Sequence, residues 1–245
     1  MTVYFIGAGP GDPELITVRG QRLIRSCATI LYAGSLVPAA ILEGQCAETV
    51  INSADLTLDE IIAVIETAHC KGHDIARVHS GDPSLYGAIG EQIRRLRALD
   101  IPYEIVPGVT ATSACAALLG TELTLPDISQ TLILTRYASK TSMPEGEQLH
   151  DLAQHRATMA IHLGIPHLNN IVEELLPHYG ADCPIAVIHR ASWPDQDFVL
   201  GTLADIETKV ATKNFQRTVL ILVGEVLTAN DFSDSKLYHT NKNHD

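Results

Sequence analysis

Apolar residues recur along the chain in two rhythms. Short runs rich in Val, Ile and Leu read as strands at 3–6, 28–32, 75–79 and 103–106, then at 131–135, 158–162, 185–189 and 218–223. Between them the period lengthens to that of a helix over 17–25, 56–70, 87–99, 111–119, 146–154 and 168–176. The second of these is the clearest, because Leu58, Ile61, Ile62, Ile65 and Ala68 fall on one stripe. Strands that alternate with helices predict an α/β fold with largely parallel pairing. WPDQDFVLGT, 193–202, differs: turn residues precede a short alternation, which predicts an antiparallel strand or hairpin. The polar, proline-containing GTELTLPDISQ (120–130) predicts a seam between two α/β domains, 1–120 and 121–230, with a polar tail over 231–245.

Composition narrows the class of protein. The chain has 245 residues, 46% of them hydrophobic and 19% charged, which is ordinary globular usage and enough to bury a proper core. No apolar run approaches the roughly 20 residues of a membrane helix. The start MTVYFIGAG has neither a basic stretch nor a small-residue cleavage site, so a cytoplasmic protein off the membrane is expected. Five cysteines, Cys27, Cys46, Cys70, Cys115 and Cys183, form no CxxC and read as small buried hydrophobes or free thiols. A formal charge of −12 argues against nucleic acid, which needs a basic face, but permits a local basic pocket for a small anion.

The first strand runs into GAGPGD, which looks like the start of a dinucleotide loop. That loop wants G-x-G-x-x-G and an acid about 20 residues on, for the ribose. Here Gly7, Gly9 and Gly11 are spaced one residue short, and LYAGSLV after the next strand offers no acid. A nicotinamide cofactor is therefore not expected. Two other strands end in loops of the same character, HSGDPSLYG (79–87) and EIVPGVTATSA (104–114). Ligands of open α/β sheets bind at the carboxyl ends of strands, so three such loops predict one shared site.

GAGPGDPELIT, HSGDPSLYG and EIVPGVTATSA, in this order, resemble the tetrapyrrole (corrin and porphyrin) methylases, and the likeness extends from Val3 to about Val226. The resemblance implies S-adenosylmethionine as methyl donor, two α/β domains with the cofactor cleft between them, and a homodimer. It implies cofactor contacts from Pro10, Gly81, Asp82, Leu85, Thr110 and Ala111, with Leu163 and Ala191 as the second domain's share. YAGSLV (32–37), LTLPDISQTLILTR (123–136) and ASWPDQ (191–196) are similar to the branch that methylates C11 of precorrin-4 or cobalt-precorrin-4. The uroporphyrinogen branch typically carries Tyr-Asp where this chain has Tyr32-Ala33, so that branch's proposed base has no counterpart.

An anionic tetrapyrrole substrate needs cations and hydroxyls, and Arg136, Lys140 and Ser35 are the candidates. No catalytic base is assigned. His79, His162 and His189 end strands and could reach substrate or serve the scaffold. His69 and His73 have helical zinc spacing, but Gly72 should end that helix and no third ligand is near, so no metal is expected. Other precorrin methylases, diphthine synthase, a ribosomal-RNA ribose methyltransferase and a non-catalytic module that binds S-adenosylmethionine or a tetrapyrrole are the alternatives. The acidic balance and YAGSLV speak against the RNA enzyme.

Overall fold

A computed structural model describes residues 1–138 and 141–235. The chain separates into two compact units. The first is Met1–Ala114 together with the short segment Ala191–Pro194, and the second is Cys115–Arg190 with the chain from Asp195 onward.

The elements of the first unit are β1 (Val3–Gly7), α1 (Val18–Ser26), β2 (Thr29–Tyr32), β3 (Thr49–Asn52), α2 (Leu58–Cys70), β4 (Ile75–His79), α3 (Gly90–Ala98) and β5 (Tyr103–Val106). The helix α4 (Ala111–Leu119) follows β5 and continues past the end of this unit. The sheet has the order β3-β2-β4-β1-β5, and every pair is parallel. Side chains alternate across it. Val3, Phe5, Leu31 and Ile75 meet Ile61 and Ile65 of α2 and Leu96 of α3 on one face, while Ile6, Ile30, Ala76 and Val78 meet Ile24 of α1 on the other. After β1 the chain passes to β2, and after β4 it passes to β5, so the neighbours β1 and β4 send their connections in opposite directions. Their carboxyl ends make the crevice where such sheets hold ligands.

The second unit contains β6 (Leu132–Arg136), α5 (Leu149–Ala153), β7 (Thr158–His162), α6 (Leu168–Tyr179), β8 (Pro184–His189), β9 (Asp197–Thr202), α7 (Ile206–Val210) and β10 (Val219–Val223). Its sheet is ordered β6-β7-β10-β8-β9. Only β6 and β7 pair in parallel, while β10 runs antiparallel to both neighbours and β8 and β9 form an antiparallel pair. The expectation of largely parallel pairing therefore holds in the first unit and fails in the second. The reason lies in the connections: residues 190–196 return the chain from β8 into a neighbouring β9 with no crossover helix, as the alternation in WPDQDFVLGT predicts. Met159, Ile161, Ile185, Val187, Ile221 and Val223 form the core face under Ile171 and Leu175 of α6 and Ile206 of α7.

Two boundaries moved for local reasons. The helix expected from residue 87 starts at Gly90, because Tyr86 and Ala88 adopt positive φ angles of 56° and 50°. The helix expected to stop at Leu176 runs through Pro177 to Tyr179 and ends at Gly180, whose φ is 82°. Among the described residues no helix is long and apolar enough to cross a membrane.

Candidate functional site

The loops after β1, β4 and β5 close on one another through backbone alone. Ala8 N donates to His79 O at 2.8 Å, and Gly81 N donates to Gly9 O at 2.8 Å. Gly7 and Gly108 are packed so tightly that side chains have no room, whereas Gly81 has space but holds a positive φ of 62°. A Cβ on Gly7 would lie 2.6 Å from Gly81 O, and one on Gly108 would lie 2.2 Å from the same atom. Asp82 fastens the knot: Oδ2 accepts from Gly108 N at 2.9 Å and Oδ1 from Ser84 N at 2.8 Å. Its carboxylate is thus a bracket between loops. Thr110 Oγ1 accepts from Ser113 N at 3.3 Å and so caps α4, whose first residue is Ala111.

The segment Ala191–Pro194 completes this unit by packing on the first loop. Trp193 Nε1 donates to Pro10 O at 2.8 Å, and Asp12 N donates to Ser192 Oγ at 3.0 Å. The indole fills the space that a side chain at Gly11 would need, since a Cβ there would lie 2.2 Å from Trp193 Cδ1. Gly11 therefore exists for Trp193. Sequence reading missed this contact, although Trp193 is the only tryptophan and lies within ASWPDQ. Pairing it with a loop 183 residues away requires the fold.

Of the expected cofactor residues, Pro10, Gly81, Asp82, Leu85, Thr110, Ala111 and Ala191 belong to the first unit and Leu163 to the second. Ala191, expected from the second half, is buried and joins the first unit through Trp193 and Ser192. Leu85 is half-buried in the turn after Asp82, with its N–H on Asp82 O at 3.2 Å. Leu163 is 60% exposed, directly after β7, with φ at 56°. In the first unit Tyr86, Ala88 and Ser192 also hold non-glycine left-handed backbone. Strained backbone of this kind is found at ligand sites.

Of the expected substrate residues, Ser35 belongs to the first unit and Arg136 to the second. Ser35 is exposed in the turn after β2. Arg136, at the end of β6, donates to Thr141 O and Ser142 O at 3.0 Å each and lines a hollow of about 280 Å³ with Tyr137, His150 and Glu174. Lys140 lies outside the described residues.

Burial sets the protonation of the strand histidines. His79 is driven down to about 3, first by desolvation and then by the Arg77 charge. His162 is driven down to about 4 by desolvation. Both are neutral at physiological pH. Arg77 is itself lowered to about 10 by burial. His69 Nδ1 lies 3.0 Å from Met1 Sδ, and His73 Nε2 is 3.7 Å from Glu48. Among the described residues no group of three or more His, Cys, Asp or Glu is arranged to hold a metal.

The three loops carry a chemical signature of their own. Residues 7–12, 80–88 and 107–111 include no Lys, Arg or His, and their charged members are Asp12 and Asp82. Phosphate loops need donors and positive charge. These loops suit a neutral or cationic ligand approached by backbone.

A fold of this type with this loop arrangement defines a class, and sequence comparison agrees. The family model for the tetrapyrrole (corrin/porphyrin) methylases matches residues 2–207, and the chain belongs to that family. A precorrin-4 C(11)-methyltransferase of Pseudomonas aeruginosa is 73% identical over 100% of this chain and 98% of its own. A solved cobalt precorrin-4 methyltransferase, described as a cobalamin biosynthetic enzyme, has a TM-score of 0.90 at 38% identity, covering 93% of this chain and 96% of its own. A uroporphyrin-III C-methyl transferase from Thermus thermophilus, solved with S-adenosyl homocysteine, has a TM-score of 0.75 at 28% identity, covering 93% and 94%.

Proposed function

We propose that this chain transfers a methyl group from S-adenosylmethionine to C11 of precorrin-4, or of cobalt-precorrin-4, in cobalamin formation. The observation that carries the reading is the three-loop knot: backbone-lined, free of cationic side chains, and closed around Gly7 and Gly108, which leave no room for substituents. It fits a sulfonium nucleoside, which brings its own positive charge. The 73% identity with a precorrin-4 C(11)-methyltransferase supports the acceptor class.

S-adenosylmethionine supplies an already activated methyl group, so the chain's own task is placement. Pro10, Gly81, Leu85, Thr110 and Ala111 present backbone and small surfaces, while Asp82 holds its loop closed through Gly108 N. Leu163 and Ala191 contribute apolar contact. Loops held rigid in this way would orient the bound methyl donor toward the acceptor, and such orientation recovers much of a transfer barrier. Ser35, Arg136 and Lys140 meet the acceptor's carboxylates. In this reading the two units are the two domains of each subunit in a cytoplasmic homodimer.

The test is turnover of precorrin-4 and of cobalt-precorrin-4 with S-adenosylmethionine labelled in its methyl group, the product position being read by NMR. Label at C11 is the expected result. Label at another ring carbon, or in neither acceptor, overturns the assignment.

A further inference from the structure

The polar side chains of β4 form a buried system that the loop assignments leave unused. Ile75, Arg77 and His79 share one face of this central strand. In register, Arg77 lies between Phe5 and Leu31, both fully buried. It is 5% exposed, and among the described residues no carboxylate lies within ion-pair distance of it. A charge buried in an apolar face without an acid is costly, so its neutral partners matter.

Those partners lead to the loop after β4. Arg77 NH1 donates to Ser53 Oγ at 2.9 Å, and Arg77 Nε donates to Gln92 Oε1 at 3.1 Å. Gln92, 4% exposed in the first turn of α3, turns its other end outward: Nε2 donates to Ala88 O at 2.9 Å. His79 meets the Gly87 backbone from the same face, while its Nε2 has no hydrogen-bond partner among the described residues. Both lines end on Tyr86–Gly87–Ala88, where Tyr86 and Ala88 are held at φ of 56° and 50°. Gly87 is pinned there too, since a Cβ on it would lie 2.2 Å from Pro83 O. Left-handed backbone at non-glycine residues persists only where the surroundings over-determine it. The guanidinium polarises the Gln92 amide and strengthens its hold on the Ala88 carbonyl.

We propose that Gln92, oriented by buried Arg77, is a positioning residue that holds the Gly81–Ala88 loop in the strained form that receives S-adenosylmethionine. The inference rests on the proposed function, in which that loop contacts the cofactor. Gln92 does not touch the ligand. It acts through the Ala88 carbonyl.

Gln92→Glu separates this role from general support of the fold. The variant keeps an acceptor for Arg77 and gives the buried cation an acid, but it removes the donor to Ala88 O. Its Tm should equal or exceed that of the wild type, while the Kd for S-adenosylmethionine by titration calorimetry rises about fivefold to tenfold, the effect of one lost hydrogen bond. The double variant Arg77→Met/Gln92→Met removes charge and tether together and should show the same rise, so the test survives if the first variant folds poorly. Ser53→Ala is the control: it loosens Arg77 but leaves the tether, and it should lower Tm without moving the Kd.

Binding by Gln92→Glu and by the double variant within twofold of wild type overturns the proposal. So does Ser53→Ala weakening cofactor binding as much as Gln92→Glu does. Failure of the underlying reading is seen separately: wild type would bind no S-adenosylmethionine, or Leu85→Trp, which crowds the loop directly, would leave binding unchanged.

Discussion

Replacing Gly108 by alanine tests the loop knot at its tightest point. The new Cβ would lie 2.2 Å from Gly81 O and 2.8 Å from Gly7 Cα, both of them backbone atoms with no rotamer to change. Something must move by about 1 Å, and overpacking of this kind costs about 1–3 kcal/mol. The same movement stretches the Gly108 N–H bond to the Asp82 carboxylate, a charge-assisted contact worth about 1.5–3 kcal/mol. Because these losses overlap, the expected destabilisation is about 2–5 kcal/mol, against a total stability of about 5–15 kcal/mol. The protein should still fold, with its urea midpoint sharply lowered. S-adenosylmethionine binding, followed by calorimetry on the folded protein, should fall at least tenfold. Gly90→Ala is the internal control, since a Cβ there meets nothing within 4 Å and the residue opens α3; it should stabilise by about 0.5 kcal/mol. A Gly108→Ala protein within 1 kcal/mol of wild type would refute the argument that backbone close approach builds this site.

Acid should destabilise the protein through His79. Its folded value of about 3 lies below the ordinary 6.5, so the unfolded chain takes the proton first as pH falls. Stability is full above about 6.5 and declines by up to about 1.4 kcal/mol per pH unit on the way to 3. Urea titrations between pH 7 and 5 should show this slope reduced in His79→Asn, and equal slopes would count against it. Trp193→Phe keeps most of the packing on Gly11 but loses the bond to Pro10 O, so Tm should fall by a few degrees, consistent with about 1 kcal/mol. A thiol reagent should label Cys46 and Cys70 in the native protein, and the other three only after unfolding. Burial holds Cys27, Cys115 and Cys183 up at about 12, and mass spectrometry of the labelled peptides decides the matter. Arg136→Ala should raise the KM for the tetrapyrrole more than the Kd for S-adenosylmethionine, and an equal loss of both would remove Arg136 from the acceptor site.

Much of the scaffold was written in local pattern. The strands 75–79, 103–106 and 158–162 and the helix 111–119 occur at the expected residues, because dense apolar runs and a Thr110 cap leave little choice. What escaped was decided by tertiary pairing. β3 is four residues long, lies at a sheet edge and fully buries none of its positions, so its signal is weak. α7 has five residues, too few to show a period. The antiparallel course of β10 depends on which neighbours it joins, which no local rhythm records. The loops of the candidate site were legible as glycine and proline clusters, yet their mutual contacts were not. Arg77 and Gln92 are 15 positions apart, and nothing in their spacing couples them.

The place of β10 in the second sheet has a consequence for the order in which the chain can acquire structure. In the first unit all five strands have been synthesised by Val106. In the second, β7 and β8 are separated by a strand that begins only at Val219. Until it arrives, both carry unpaired backbone on the sides that later become the middle of the sheet, and their apolar face lacks Ile221 and Val223. A nascent chain halted before residue 219 would therefore hold one assembled sheet and one open template. Of the two units, the second is the one a chaperone or a protease would meet unfinished.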